Sequence, residues 1–81
     1  MNHPFNLDVF YNDQIISFPA ELQHSEYYYR IVVIISDIPV IFEQDEEGGY
    51  RAIIKNTVDR QKVSQSLLHA IADELRKTLS I

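Results

Sequence analysis

Four acidic side chains in the middle of the sequence could bind a metal ion. Ca²⁺ and Mg²⁺ take carboxylate oxygens as ligands, and these carboxylates belong to Glu43, Asp45, Glu46 and Glu47. The segment lacks the Asp-x-Asp-x-Asp-Gly spacing with a distant glutamate that a calcium-binding EF-hand loop requires. Two glycines follow it, as is typical of a solvated hairpin tip. We therefore predict a turn here, and the sequence indicates neither a metal site nor a cofactor.

Four basic side chains could instead bind an anion. Arg51, Lys55, Arg60 and Lys62 come just before and within the start of a predicted C-terminal helix, and a helix N-terminus attracts anions. Cations in the first helical turn otherwise oppose the helix dipole. Arg60 and Lys62 could also pair with the acidic tip at the surface, where ion pairs contribute little to stability. An anion site at the helix N-terminus is the alternative function that these residues predict.

The remaining reactive side chains show no catalytic pattern. His3, His24 and His69 lack a zinc-binding spacing. No serine lies in a nucleophile elbow, and the chain has no cysteine. Tyr28 and Tyr29 would point to opposite faces of a strand, so they could not form one platform for stacked bases. We therefore predict a protein that is not an enzyme.

Composition limits the size of the fold and the classes of partner. The chain has 81 residues and a net charge of −5, and this charge argues against nucleic acid as a partner because phosphate binding depends on cations. A hydrophobic content of 46% argues for a folded chain, and we expect one small domain over residues 1–81. No apolar run is long enough to span a membrane, and the Met-Asn-His-Pro start does not resemble a signal peptide. We expect a cytoplasmic protein that does not bind membranes.

The hydrophobic pattern predicts five strands joined by turns. Residues 27–36 are rich in β-branched and aromatic side chains, as is typical of a central strand. Asn12-Asp13 favours a tight hairpin turn, and Asp37-Ile38-Pro39 favours a second turn. Pro19 cannot donate to a ladder, so the second strand should end there, bulge there or lie at an edge, and we predict a loop at residues 20–26. The predicted strands are residues 5–11, 14–18, 27–36, 40–44 and 50–55.

Pairing across these turns sorts the strand side chains into two faces. The first turn sets Val9 opposite Ile16. A three-residue tip within the acidic turn sets Glu43 opposite Arg51, which is mildly favourable, and a slip of one residue would move Arg51 to the apolar face. The apolar face, predicted as the core, holds Phe5, Leu7, Val9, Ile16, Phe18, Tyr29, Ile31, Val33, Ile35, Val40, Phe42, Tyr50, Ala52 and Ile54.

One C-terminal helix, predicted at residues 60–79, should cover this core face. Asp59 is a suitable N-cap, and Val58 could pack on Val63 as a hydrophobic staple. Apolar residues then recur at the spacing of one helical face. The predicted stripe comprises Val63, Leu67, Leu68, Ile71, Ala72, Leu75 and Leu79.

A single helix cannot cover both faces of the sheet. Ile34, Ile41 and Ile53 would line up across three strands of the other face, and contiguous apolar patches are uncommon on small monomers. The patch could be a tolerated one that the loop at residues 20–26 partly covers. It could also pack against a second copy or a protein partner, with charged residues as its rim, and we favour this interpretation. The predicted interaction face comprises Tyr28, Arg30, Val32, Ile34, Ile41, Glu43, Arg51 and Ile53.

The segment VIFEQDEEGGYRAII, residues 40–54, is followed by LLHAIADEL near the C-terminus. This arrangement resembles small uncharacterised bacterial proteins in which a Phe-Glu, an acidic turn and a Tyr/Phe-Arg-Ala run precede a helix. The resemblance covers about the second half of the chain. It implies the same fold and carries no particular activity.

These patterns together predict an α+β fold, an antiparallel β-meander of four to five strands with one C-terminal helix packed on one face. The predicted function is a non-enzymatic binding or interaction module that could form a homodimer through the open sheet face. The alternative is a small-ligand or anion-binding protein that uses the helix N-terminus with Arg51, Lys55, Arg60 and Lys62.

Overall fold

The computed structural model of the chain describes residues 2–24, 26 and 29–79. Five strands form one antiparallel sheet in the order β1-β2-β3-β4-β5, and two helices follow. This architecture confirms the predicted α+β meander with a C-terminal helix on one face. The elements are β1 (Asn2–Tyr11), β2 (Gln14–His24), β3 (Tyr29–Ile35), β4 (Ile38–Gln44), β5 (Tyr50–Ile53), α1 (Thr57–Lys62) and α2 (Gln65–Leu79).

The first hairpin has the predicted turn and register. Asn12 and Asp13 adopt positive φ angles of 52° and 62°, as a two-residue hairpin turn of the type I′ class requires. Val9 consequently lies opposite Ile16. The predicted start of the third strand at Tyr27 and the predicted face residue Tyr28 both lie outside the described residues.

The second hairpin turns at Ser36-Asp37, which begins one residue before the turn that the sequence indicated. Ser36 and Asp37 take positive φ angles of 50° and 67°, and Ile35 pairs with Ile38. The expected turn at Asp37-Ile38-Pro39 is therefore wrong. Because Ile38 begins β4 instead of sitting in a loop, its side chain is buried in the core.

The third hairpin confirms the register that opposite charges favoured. Glu43 lies opposite Arg51, and Gly48 supplies the positive φ of 85° that the tip needs. The Asp45 carboxylate accepts backbone hydrogen bonds from Glu47 N at 2.9 Å and Gly49 N at 2.8 Å. The acidic residue at the start of this tip therefore holds the turn itself.

Strand β2 continues past Pro19 to His24, so the predicted loop at residues 20–26 is wrong. Pro19 pairs with Asn6 of β1, whereas the ladder between β2 and β3 begins only at Ala20. The proline thus lies where β2 has a neighbour on one side, and its missing N–H breaks no ladder on the other. Pro39 occupies an equivalent position in β4, because the ladder between β4 and β5 does not reach it.

The C-terminal helical region is broken into two helices, unlike the single predicted one. Asn56, not Asp59, is the N-cap of α1, and its side-chain oxygen accepts from Val58 N at 2.9 Å. Val63 then takes an extended conformation with φ −109° and ψ 127°. The predicted staple is also wrong, since Val58 is 61% exposed while Val63 is buried.

Helix α2 covers one face of the sheet and contacts both outer strands, β1 and β5. Its buried side chains Ile71 and Leu75 are 0% exposed and meet the alternate, inward-facing residues of the strands. The predicted position of Leu79 in the stripe lies outside the side chains that the structure describes. The buried core comprises Leu7, Val9, Phe18, Ala20, Ile31, Val33, Ile35, Ile38, Val40, Phe42, Ile54, Val63, Ile71 and Leu75.

Two phenylalanines on opposite faces of the sheet provide a test of this core. Phe42 is 0% exposed, whereas Phe10 is 67% exposed. We expect Phe42→Ala to lower the free energy of unfolding by about 3–5 kcal/mol, since it leaves a cavity. The matched Phe10→Ala should change it by less than about 0.5 kcal/mol. Urea denaturation measures both, and equal losses would contradict the assignment of faces.

Candidate interaction face

The open face is the side of the sheet that α2 does not cover. Val32, Ile41 and Ile53 lie opposite one another on β3, β4 and β5. Ile34 follows two residues beyond Val32 on β3, pointing to the same side. All four side chains are half-buried, unlike their alternate neighbours in the core. The structure therefore brings together the apolar residues that the sequence assigned to one patch.

A row of polar side chains borders this patch. Arg30 lies opposite Glu43, which in turn lies opposite Arg51. The Arg51 guanidinium is 3.7 Å from the Glu43 carboxylate, and Arg30 Nε donates to Gln23 Oε1 at 3.0 Å. Gln23 Nε2 in turn donates to Glu21 Oε1 at 2.8 Å. These contacts join the rim side chains to polar neighbours on the same face of the sheet.

The end of the patch deepens into a groove of about 340 Å³. Its floor is apolar and includes Val32, Ile41 and Ile53, while Asn56 and Asp59 of the α1 region form part of its wall. The sequence had suggested cover from residues 20–26, which instead belong largely to β2. The partial cover comes from the segment around α1. The groove is lined by Gln23, Arg30, Val32, Pro39, Ile41, Ile53, Ile54, Lys55, Asn56 and Asp59.

The four cations proposed for an anion site have separate surroundings. Arg51 pairs with Glu43, Arg60 donates from Nη2 to the Ile54 carbonyl at 3.1 Å, and Lys55 lines the groove. The expectation that Arg60 and Lys62 lie in a first helical turn is wrong. Both lie in the last turn of α1, where a cation is favourable to the helix dipole.

In the acidic tip of the third hairpin, the Asp45 carboxylate bonds to the backbone of the turn itself. Within residues 2–24, 26 and 29–79, no group of three or more potential metal ligands is arranged around one point. An ion pair there joins Arg51 to Glu43, whereas the suggested pairing of Arg60 and Lys62 with residues 45–47 is not observed among the described side chains.

A hydroxyl cluster joins β1 to the start of α2, which the sequence did not predict. The Tyr11 hydroxyl lies 2.6 Å from Ser66 Oγ, and Ser66 Oγ lies 2.8 Å from Ser64 Oγ. Hydrogen bonds with Ser64 and Ser66 stabilise the phenolate and lower the pKa of Tyr11 below its usual value. The contact spans more than fifty residues of sequence, so no local pattern could have revealed it.

A second hydroxyl cluster lies at the opposite end of the core face. The Tyr29 hydroxyl donates to Gln44 Oε1 at 2.8 Å and lies 3.1 Å from the Tyr50 hydroxyl. Burial raises the pKa of Tyr50 well above 10, and the contact with Tyr29 raises it further. On the neighbouring strands, the His3 and His24 rings stack with centroids 5.6 Å apart.

A second cavity, of about 280 Å³, lies between β5 and α2. Tyr50 and Ala52 line it from the strand, and Leu68 and His69 line it from the helix. His69 is exposed, as the sequence predicted for the outer side of the helix.

The most exposed apolar pair lies at the tip of the first hairpin. Phe10 and Ile15 are directly opposite each other on the open face and are 67% and 71% exposed. Neither residue belongs to the interaction face predicted from the sequence. The alternation of β1 and β2 does carry this information, because it puts two large apolar residues beside an exposed turn.

No family model matches this chain, and neither the curated proteins nor the solved structures include one that is significantly similar to it. The resemblance to small bacterial proteins therefore stays a prediction. In the part of the chain that the structure describes, neither helix has the length and apolar character needed to cross a membrane.

The two tyrosines with shifted pKa values predict opposite effects on alkaline stability. Unfolded tyrosines ionise near pH 10, whereas folded Tyr50 keeps its proton to higher pH. The stability that protonated Tyr50 gives the folded state is therefore lost as the pH rises above about 10. We expect Tyr50→Phe to lose less stability than the wild type above about pH 10. Tyr11→Phe should lose more, because folded Tyr11 ionises early and its contribution grows with pH.

Thermal unfolding across this pH range measures both effects. The comparison concerns the slope against pH, because either substitution also removes a hydrogen bond at every pH. If stability falls equally steeply with pH in both variants, the different surroundings assigned to Tyr50 and Tyr11 are wrong.

Proposed function

We propose that this chain is a cytoplasmic, non-enzymatic interaction module that associates with a second copy of itself through the open face of its sheet. The observation that carries the proposal is the contiguous apolar patch of Val32, Ile34, Ile41 and Ile53 on the face opposite α2. Burying apolar surface is favourable by about 25 cal/mol per Å². A second copy would remove this patch from water.

The border of the patch supports a protein as the partner. Protein interfaces have an apolar centre and a polar rim, and here the rim comes from Arg30, Glu43 and Arg51. Arg30 and Arg51 are already held by Gln23 and Glu43. Binding a partner would therefore cost little further ordering of these long side chains.

The size of the face is also adequate. An interface of standard size takes about 800 Å² from each partner, about one seventh of this chain's accessible surface of 5878 Å². The molecule measures 34 × 27 × 25 Å, so one of its broad sides offers a share of that order.

The groove favours a small anion as the second candidate ligand. Its volume of about 340 Å³ falls within the range of small-molecule sites, and it is lined by two cations, Arg30 and Lys55, and one acidic residue, Asp59, beside an apolar floor. This version of anion binding uses the open face. It does not use the N-terminus of α1, whose six residues include Arg60 and Lys62 in the last turn. A rise in melting midpoint with phosphate or a small carboxylate, without a change in mass, would favour it.

Self-association is tested by placing a charge at the centre of the patch. We expect the wild-type chain to show a dimer mass in light scattering, and Ile41→Glu and Ile34→Glu to shift it to the monomer, because a dimer would bury an unpaired carboxylate. Thr78→Glu, on an exposed position of α2, adds the same charge elsewhere and should leave the mass unchanged.

Circular dichroism of each variant shows whether the fold is retained. Ile41→Thr is a milder second variant that should weaken the dimer without introducing a charge. A wild-type chain that stays monomeric at every concentration tested would overturn the proposal.

A further inference from the structure

The two outer sides of the open face carry different charged side chains. Asp8 on β1 and Glu21 on β2 point to this face at one side of the sheet, since they share the alternation of Phe10 and Ile15. Arg51 lies on β5 at the other side, and Lys55 follows β5 and lines the groove. The face therefore carries acidic side chains at β1 and β2, whereas at the β5 side the cations Arg51 and Lys55 are accompanied by Glu43 and Asp59.

We propose that two copies pack face to face about a two-fold axis that runs parallel to the strands and passes over β3. This inference rests on the proposed function and specifies the geometry of the dimer. Such an axis places β1 of each copy over β5 of the other, and β2 over β4. The acidic side of each copy then meets the side of its partner that carries Arg51 and Lys55, twice, as an isologous interface requires.

The other simple arrangement is unfavourable. A two-fold axis lying in the interface and perpendicular to the strands would place β1 over β1 and β5 over β5. The acidic side of each copy, with Asp8 and Glu21, would then lie over the acidic side of its partner. Like charges across an interface suppress association, so the charge pattern selects the axis parallel to the strands.

The register of the sheet determines which charges meet. Residues that lie opposite one another on successive strands form a row across the sheet. If β5 continued in register, Lys55 would belong to the row of Ile34 and Pro39. Asp8 belongs to the next row on the same face, towards the tip of the first hairpin. Rotation about the axis over β3 does not change a residue's position along the strands, so each row of one copy lies over the same row of its partner. Lys55 therefore comes within one row, about 7 Å along the strand, of the partner's Asp8, and a lysine side chain can span that distance.

The exposed apolar residues are distributed in the same complementary way. Phe10 and Ile15 lie beyond the turn of the second hairpin, at the end of the sheet where α1 follows β5. Val58, which is 61% exposed, lies in α1 between the groove residues Asn56 and Asp59. The same axis brings the hairpin tip of each copy, with Phe10 and Ile15, to the α1 region of the other, which carries Val58.

Charge reversal at Asp8 and Lys55 tests the arrangement. Both side chains are exposed and neither has a contact that holds the fold, whereas Glu21 accepts a hydrogen bond from Gln23 and is left unchanged. We expect Asp8→Lys and Lys55→Glu each to weaken the dimer roughly tenfold, because each turns two attractions into repulsions. The double variant should return the affinity to near the wild-type value.

Sedimentation equilibrium at low and high salt measures these affinities, and the differences should shrink as salt screens the charges. Asp73→Lys and Lys77→Glu, on exposed positions of α2, make the same charge changes as controls and should leave the affinity unchanged. If the wild type dimerises but the single reversals do not weaken it, or the double does not restore it, the axis is wrong and the proposed function stands. If the wild type does not dimerise, both proposals are wrong.

Discussion

The whole fold depends on one helix covering one face of a five-stranded sheet. Helix α2 touches the two outer strands, β1 and β5, so the sheet must curve around it for the strands between to reach the same core. Ile71 and Leu75 supply the helix side of that core, and both are fully buried. The opposite face is left without a covering layer, and this asymmetry is the source of the proposed interaction face.

The segment between β5 and α2 has two roles, because it lies between the two faces. Asn56 and Asp59 line the groove on the open face, while Val63, only a few residues later, is buried in the core. The break in the helix at Val63 makes this possible, since a continuous helix from residue 57 onwards could not change direction there. The Arg60 contact with the Ile54 carbonyl ties α1 back to the end of β5.

The sequence predicted the sheet well wherever the signal was local. The Asn12-Asp13 turn and the Glu43–Arg51 pair each determine a register from a few neighbouring residues, and both registers are correct. Prediction failed where a residue's effect depends on its neighbours in the sheet. Of the three alternatives for Pro19, an end, a bulge or an edge, the structure shows an edge-like position, because β2 is paired on one side only at that point, and the loop predicted after it is wrong.

The candidate site shows the same division. Alternation along β3, β4 and β5 was enough to assemble the patch of Val32, Ile34, Ile41 and Ile53, because a face needs only the strand period. The groove wall depends on the path of the chain after Ile53. The sequence suggested one straight helix with Arg60 and Lys62 in its first turn, whereas both lie in the last turn of the short helix α1. The hydroxyl contact between Tyr11 and Ser66 joins distant segments and has no sequence signature.

The strand order also affects the loss of chain entropy at different stages of folding. Every strand pairs with the next one along the chain, so each hairpin closes only a short loop. The packing of α2 against β1 instead joins residues 53 to 55 positions apart, as Tyr11 and its serine partners show, and closing a loop of that length costs roughly 3.5 kcal/mol in chain entropy. Hairpins can therefore form from neighbouring contacts alone, whereas docking of the terminal helix on β1 joins distant parts of the chain.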